Sequence, residues 1–344
     1  MTQPTTGGRT PRVRKRGLRT WSAFGNLGRR PTEYEIVTHN LNHTTGAVPL
    51  ELGADVHGNR WLREHRDNSA LVVPSWDTFR DPDAVTYGSY VVMQDDQETY
   101  VEKLLEQFDG EQHDELLEPA ALAYLARALT PTRYLAHGLQ MLSAYVQQLA
   151  PGSYVSTAAA FQTADQLRRV QLVAYRTTQL ARTHPGAGFA TGERATWERD
   201  PDWTAVRETV EHALVEFDWD RALVATQLVV KPAADAVLLE ELGRELAAAG
   251  SLLDSLIVEN LFRDAQRSQR WTAALLAFLT GADAANAGVL QGVLDDWAPR
   301  GHALIDAGAR IVSAGTRTPE EIARSARARW RALVEPSGLR VDRS

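Results

Sequence analysis

Residues 81–110 read DPDAVTYGSYVVMQDDQETYVEKLLEQFDG, and this stretch decides the fold class. Tyr87, Tyr90/Val91, Gln94, Tyr100/Val101, Leu104/Leu105 and Phe108 recur largely every three or four residues, the spacing of one helix face. Asp81-Pro82 predicts the start, a capping carboxylate followed by proline at the first helical position, and Gly110 predicts the end.

Outward from it, the C-terminal side keeps the same texture. Helical stretches are expected over 115–149 with an interruption at Thr130-Pro131, over 153–183 up to His184-Pro185-Gly186, and near 201–218 and 220–230. Further helices are expected from Pro232 to about Gly250, over 251–279, and near 283–297, 299–314 and 319–333, the last begun by Thr318-Pro319-Glu320. Several approach lengths well beyond the common helix of about 11–12 residues. No alternating β-branched segment of strand length follows residue 80. The fold class is all-α: a long-helix bundle with peripheral helices.

The N-terminal side differs. Residues 1–80 are punctuated by Gly and Pro, with room for one short helix near 56–66. Residues 1–30 hold eight Lys/Arg and no acid, which leaves −15 on the remainder of a chain of net charge −7. Trp21 and Phe24 follow the basic run. Aromatic and arginine side chains together are the composition of interface anchors, so the segment reads as an extended arm for an acidic partner surface. A nucleic-acid role is disfavoured, because no recognised binding fold follows the run.

Composition excludes much. At 344 residues with 44% hydrophobic and 24% charged side chains, the chain is of globular type. With no cysteine there is no disulfide, thiolate site or cysteine nucleophile. No run of 18 apolar residues predicts a membrane span, and the N-terminus lacks a secretory apolar segment, so the cytoplasm is the expected compartment. None of the nine histidines has a carboxylate three residues before it, so the Glu-x-x-His pairs of a bundle-held di-iron site are missing. His39 and His43, four apart, read as hydrogen-bonded loop residues. No GxGxxG, GxxxxGK[ST] or GxSxG occurs.

Four segments carry a resemblance. Arg19-Thr20-Trp21, Arg30-Pro31-Thr32-Glu33-Tyr34-Glu35, Phe79-Arg80-Asp81-Pro82-Asp83 with Tyr87, and Gln94-Asp95-Asp96-Gln97-Glu98-Thr99-Tyr100-Val101 resemble the β (small) hydroxylase subunit of bacterial multicomponent di-iron monooxygenases. These are the toluene, phenol, alkene-isoprene and propane monooxygenases. The resemblance implies a ferritin-like bundle and a non-catalytic structural subunit. It also implies a di-iron centre in a partner α subunit, a small γ subunit and an (αβγ)2 hydroxylase. A transient effector protein, a ferredoxin and an NADH-dependent reductase complete the expected system. Residues 1–80 become the arm and loops on the partner, with Arg19, Trp21, Arg30, Tyr34, Phe79 and Arg80 at the interface; residues 81–344 become the helical domain without ligands.

The same resemblance places degenerate ligand positions. Ala144 stands where a Glu is found in α subunits. Gln166 and Arg169 replace a Glu and a His, and Ala265 and Ser268 replace the second such pair; a fourth position lies near Gln227. Residues i and i+3 share a helix face, so each pair points one way. A buried Arg169 repels a metal cation and requires a carboxylate or carbonyl partner from a neighbouring helix. The alternative is a free-standing helical binding protein whose basic arm meets nucleic acid or an acidic partner.

Overall fold

The computed structural model describes residues 57–342 and, before them, 21–22, 25–26, 29, 32 and 33. Two units are distinguished, Met1–Trp61 and Leu62–Ser344. In the first, β1 (Trp21–Ser22) pairs antiparallel with β2 (Gly25–Asn26). The helix α1 covers His57–His65.

The second unit is helical. In order it contains α2 (Tyr87–Gly110), α3 (Pro119–Tyr124), α4 (Thr132–Leu149), α5 (Ser153–Thr183), α6 (Glu193–Arg199) and α7 (Pro201–Leu214). Then come α8 (Trp219–Ala248), α9 (Leu252–Ala282), α10 (Ala284–Val312) and α11 (Pro319–Val334). Helices α4, α5, α9 and α8 pack in a ring of neighbours as a four-helix bundle, with α2, α7, α10 and α11 around it. The all-α, ferritin-like expectation holds.

Local chemistry explains most boundaries. Thr318 and Glu321 close a reciprocal capping box on α11, with Pro319 at the first helical position. Asp200 accepts from the backbone N–H groups of Asp202 and Trp203 at the head of α7. The α4–α5 turn needs Gly152, because a Cβ there would lie 2.8 Å from Cβ of Trp76.

Four expectations change. Helix α2 starts at Tyr87, not at Asp81-Pro82. The Asp81 carbonyl accepts from Ala84 N–H and its side chain from Asp83 N–H, and Ala84 sits at φ 46°, which stops propagation. Thr86 then caps α2 in a box with Ser89. The break expected at Pro232 is absent: α8 runs through it, flanked by π turns over Ala225–Val230 and Ala236–Glu241. A π turn widens the hydrogen-bond register, so a residue without an N–H is accommodated. Pro299 likewise lies inside α10, between the buried Trp297 and Leu304. Finally, residues 62–80 belong with the compact unit and not with an arm. Val72 N–H donates to Asn286 Oδ1 (2.8 Å), and Asn286 returns a bond to the Val72 carbonyl.

Helix α8 is the axis of the core. An 18-residue window of it has mean hydropathy 1.5, enough in length and composition to cross a membrane, yet the window is wholly buried within the protein. Gly301 and Gly308 let α10 close on it. A Cβ at Gly308 would stand 2.6 Å from Val237 Cγ1, and one at Gly301 2.8 Å from Val229 Cγ1.

Candidate functional site

Gln166 and Arg169 project from α5, and Ala265 and Ser268 from α9; all four are buried. Ala144 on α4 is only half-buried, and the preceding Ser143 is the fully buried side chain, accepting from Gln162 Nε2 at 2.8 Å. Ser268 Oγ donates to the Asp264 carbonyl one turn back (3.2 Å).

Arg169 reaches α8. Its Nη2 donates to the Leu238 carbonyl (2.8 Å), and Nη1 lies 3.6 Å from Asp235 Oδ1. The other oxygen of Asp235 pairs with Lys231 Nζ, one turn earlier on α8. All three charged groups are buried, so two cations share one carboxylate in a dry interior. Burial pulls the Arg169 guanidinium below its ordinary value, and Asp235 partly offsets this. Gln227, Ser268 and Thr272 adjoin the cluster around a cavity of about 10 Å3, no larger than one water molecule.

This donor set does not fit a di-iron centre. Ala265 has no donor atom and Gln166 offers only a neutral amide. Arg169 and Lys231 place fixed positive charge beside the only carboxylate of the cluster, Asp235. Among the described residues no group of three or more His, Asp or Glu is arranged to hold a metal. Lys231 and Asp235 were not anticipated. Their signal was legible: two charges four apart inside an otherwise uncharged, mostly apolar run from Ala222 to Leu239.

A second polar layer lies beside the first. Asp165-x-x-Arg168 on α5 and Asp264-x-x-Arg267 on α9 exchange partners: Arg168 Nη1 donates to Asp264 Oδ2 (3.0 Å), and Arg267 pairs with Asp165. Helix α2 seals them. Gln94 Nε2 bridges Asp165 (3.1 Å) and Asp264 (2.9 Å), Gln97 Nε2 donates to Asp264 (3.0 Å), and Tyr90 Oη donates to Asp165 (2.9 Å). Burial and the neighbouring Asp264 push the Asp165 carboxyl up to about 7, against the pull of Arg267 and Tyr90. The arrangement clamps three helices.

The expected partner residues divide. Arg19, Arg30 and Tyr34 lie outside the described residues, as does the side chain of Trp21. Phe79 is 1% exposed, its ring 5.6 Å from that of Phe278, so it anchors this chain's own core instead of a partner's. A phenyl ring gains more from that closed site than from a solvated edge. Arg80 is exposed, with its guanidinium 4.1 Å above the Tyr154 ring.

A ferritin-like bundle whose interior is closed by ion pairs, with no group of metal-ligating side chains among the described residues, defines the class: a helical subunit of the hydroxylase type. The chain belongs to the methane/phenol/alkene hydroxylase family, whose model matches residues 61–283. It is similar to the toluene-4-monooxygenase hydroxylase component subunit beta of Ectopseudomonas mendocina, 39% identical over 288 residues covering 83% of this chain and 88% of that one. It is also similar to the propane 2-monooxygenase hydroxylase small subunit of Mycolicibacterium smegmatis, 28% identical over 45% of this chain and 43% of that one. Among solved structures, toluene 4-monooxygenase with toluene in its resting active site gives a TM-score of 0.74 at 37% identity, covering 87% of this chain and 98% of that one. Phenol hydroxylase of Pseudomonas sp. OX1 shares the fold, with a TM-score of 0.73 at 20% identity over 98% and 99% of the two chains.

Proposed function

We propose that this chain is the non-catalytic β subunit of the hydroxylase component of a multicomponent, NADH-dependent di-iron monooxygenase acting on small hydrocarbons. The observation that carries the reading is the Arg169–Asp235–Lys231 cluster, which fills the bundle interior with cations where a metal would need carboxylates and imidazoles. Similarity to the hydroxylase β subunit of the toluene-4-monooxygenase system supplies the assembly. In this reading the iron sits in a partner α subunit, a γ subunit completes an (αβγ)2 hydroxylase in the cytoplasm, and effector, ferredoxin and reductase bind in turn. The chain works by holding α rigid, since a di-iron site tolerates little looseness. The basic segment of residues 1–30, with Trp21, lies along that partner. Nothing favours the free-standing binding protein.

Co-expression with the α and γ hydroxylase subunits of the same organism tests this. The complex is expected to contain iron and to oxidise hydrocarbon, and this chain alone to be iron-free and inactive. Stoichiometric iron with oxygen-dependent turnover in the isolated chain would overturn the proposal. Deleting residues 1–30 should weaken assembly and leave the far-UV helix signal unchanged.

A further inference from the structure

Gln227, Lys231 and Asp235 of α8 face Ser268 and Thr272 of α9 across the small cavity in the bundle interior. Each of the five is 2% exposed or less. Gln227 lies within the π turn Ala225–Val230, a backbone form that recurs at ligand sites.

The hydrogen bonds of this pocket do not close among its own side chains. Ser268 Oγ donates to the Asp264 carbonyl and Thr272 Oγ1 donates to Gln227 Oε1 at 3.3 Å. Both hydroxyls have therefore spent their protons and keep lone pairs. Lys231 Nζ, with three N–H donors, uses one on Asp235 Oδ2. Gln227 Nε2 and Asp235 Oδ1 have no hydrogen-bond partner among the described residues. Buried polar atoms in that condition are costly.

The pocket thus offers donors and acceptors together, and this selects the ligand. A cation would meet the Gln227 amide N–H and the Lys231 ammonium. An anion such as chloride would meet the Asp235 carboxylate and two sets of oxygen lone pairs. A neutral ligand that both accepts and donates suits every wall, and a cavity of about 10 Å3 admits one water and nothing larger.

We infer that this interior site between α8 and α9 binds a single structural water, which accepts from Gln227 Nε2 and donates to the oxygens facing it. The water adds to the Thr272–Gln227 bond in tying the π turn of α8 to α9. An amide and a hydroxyl hold solvent here, at a place where a bundle metal would require carboxylate and imidazole. The inference concerns this chain's own interior and does not rest on the subunit reading.

The test is a crystal structure showing ordered water, of the chain alone or assembled with its catalytic and γ subunits, from crystals grown in bromide. One oxygen peak is expected within hydrogen-bond distance of Gln227 Nε2 and of an oxygen of Ser268, Thr272 or Asp235, without anomalous signal at the bromine edge. Gln227→Met, similar in volume but without the amide, should lose that peak while Arg169, Lys231 and Asp235 keep their places. Should that variant fail to fold, Ser268→Ala removes one acceptor instead and should move the peak away from α9. An anomalous peak would make the occupant an anion and overturn the inference. So would a wild-type structure with no peak, or a peak unmoved by the substitution.

Discussion

Arg169 Nη2 lies 2.8 Å from the carbonyl oxygen of Leu238, the residue at which α8 leaves helical backbone space (φ −98°, ψ 15°). A helix that departs from its register frees carbonyls, and a buried free carbonyl is costly. Here a guanidinium from the facing helix satisfies one. The interior cation and the distortion of α8 thus depend on each other, and Asp235, shared with Lys231, offsets one of the two positive charges.

This dependence sets an order of damage. Asp235→Ala leaves two buried cations without a carboxylate and is expected to cost about 3–5 kcal/mol. Arg169→Leu leaves Lys231 and Asp235 paired and should cost less, about 1–3 kcal/mol for the orphaned acceptors. Replacing all three by Leu or Met should return most of the stability. Urea denaturation of the purified subunit reads all three; equal losses for the two single variants would refute the arrangement.

Asp165 predicts a pH dependence. Its carboxyl holds a proton more tightly in the folded bundle than in the unfolded chain. Its contribution is therefore complete below the ordinary carboxylate value near 4 and is lost as pH rises through about 7, at most about 1.4 kcal/mol per pH unit. Denaturation at pH 5.5 and 7.5 should show this loss in the wild type and not in Asp165→Asn.

Asp254 predicts the opposite slope in a lower window. Arg176 holds both its oxygens, at 2.9 and 3.0 Å, and overcomes the cost of burial, so its carboxyl lies below the usual carboxylate range. Stability from this pair is present at neutral pH and is lost as pH falls below about 4 through the depressed value. Arg176→Met should cost about 3–5 kcal/mol at pH 7 by leaving Asp254 unpaired. The deficit should shrink as acid protonates that carboxylate, as an acid titration followed by circular dichroism would reveal.

Glycines of α10 separate packing from propensity. Gly308→Ala drives a methyl against Val237 and should cost about 1–3 kcal/mol. Gly288→Ala meets nothing within 4 Å on the same helix and should stabilise by up to about 1 kcal/mol. Thermal midpoints moving in opposite directions would confirm the contact.

Helix faces and ends were readable where a local rule operates alone. The bounds of α5, the interruption at Thr130-Pro131 and the cap at Thr318 each depend on neighbours within four residues. Pro232 and Pro299 misled for the same reason: a proline ends a helix unless packing on both flanks, here the core around α8 and α10, outweighs the lost bond. The turn at Asp81-Pro82 was misread because the left-handed backbone at Ala84 leaves no mark in an alanine.

Periodicity and composition by themselves determined the class of protein: all-α, without cysteine chemistry, and with no Glu-x-x-His pair at any histidine. They also required that Arg169, once inside, find an acceptor on another helix. Which acceptor it found, that Phe79 turned into the core, and that Arg168 and Arg267 exchange Asp264 and Asp165 were decided by tertiary structure. The reason is range: helix face and cap are set within a turn of the chain, whereas a buried charge is compensated by whatever group the fold brings to it, here from 66 to 102 residues away.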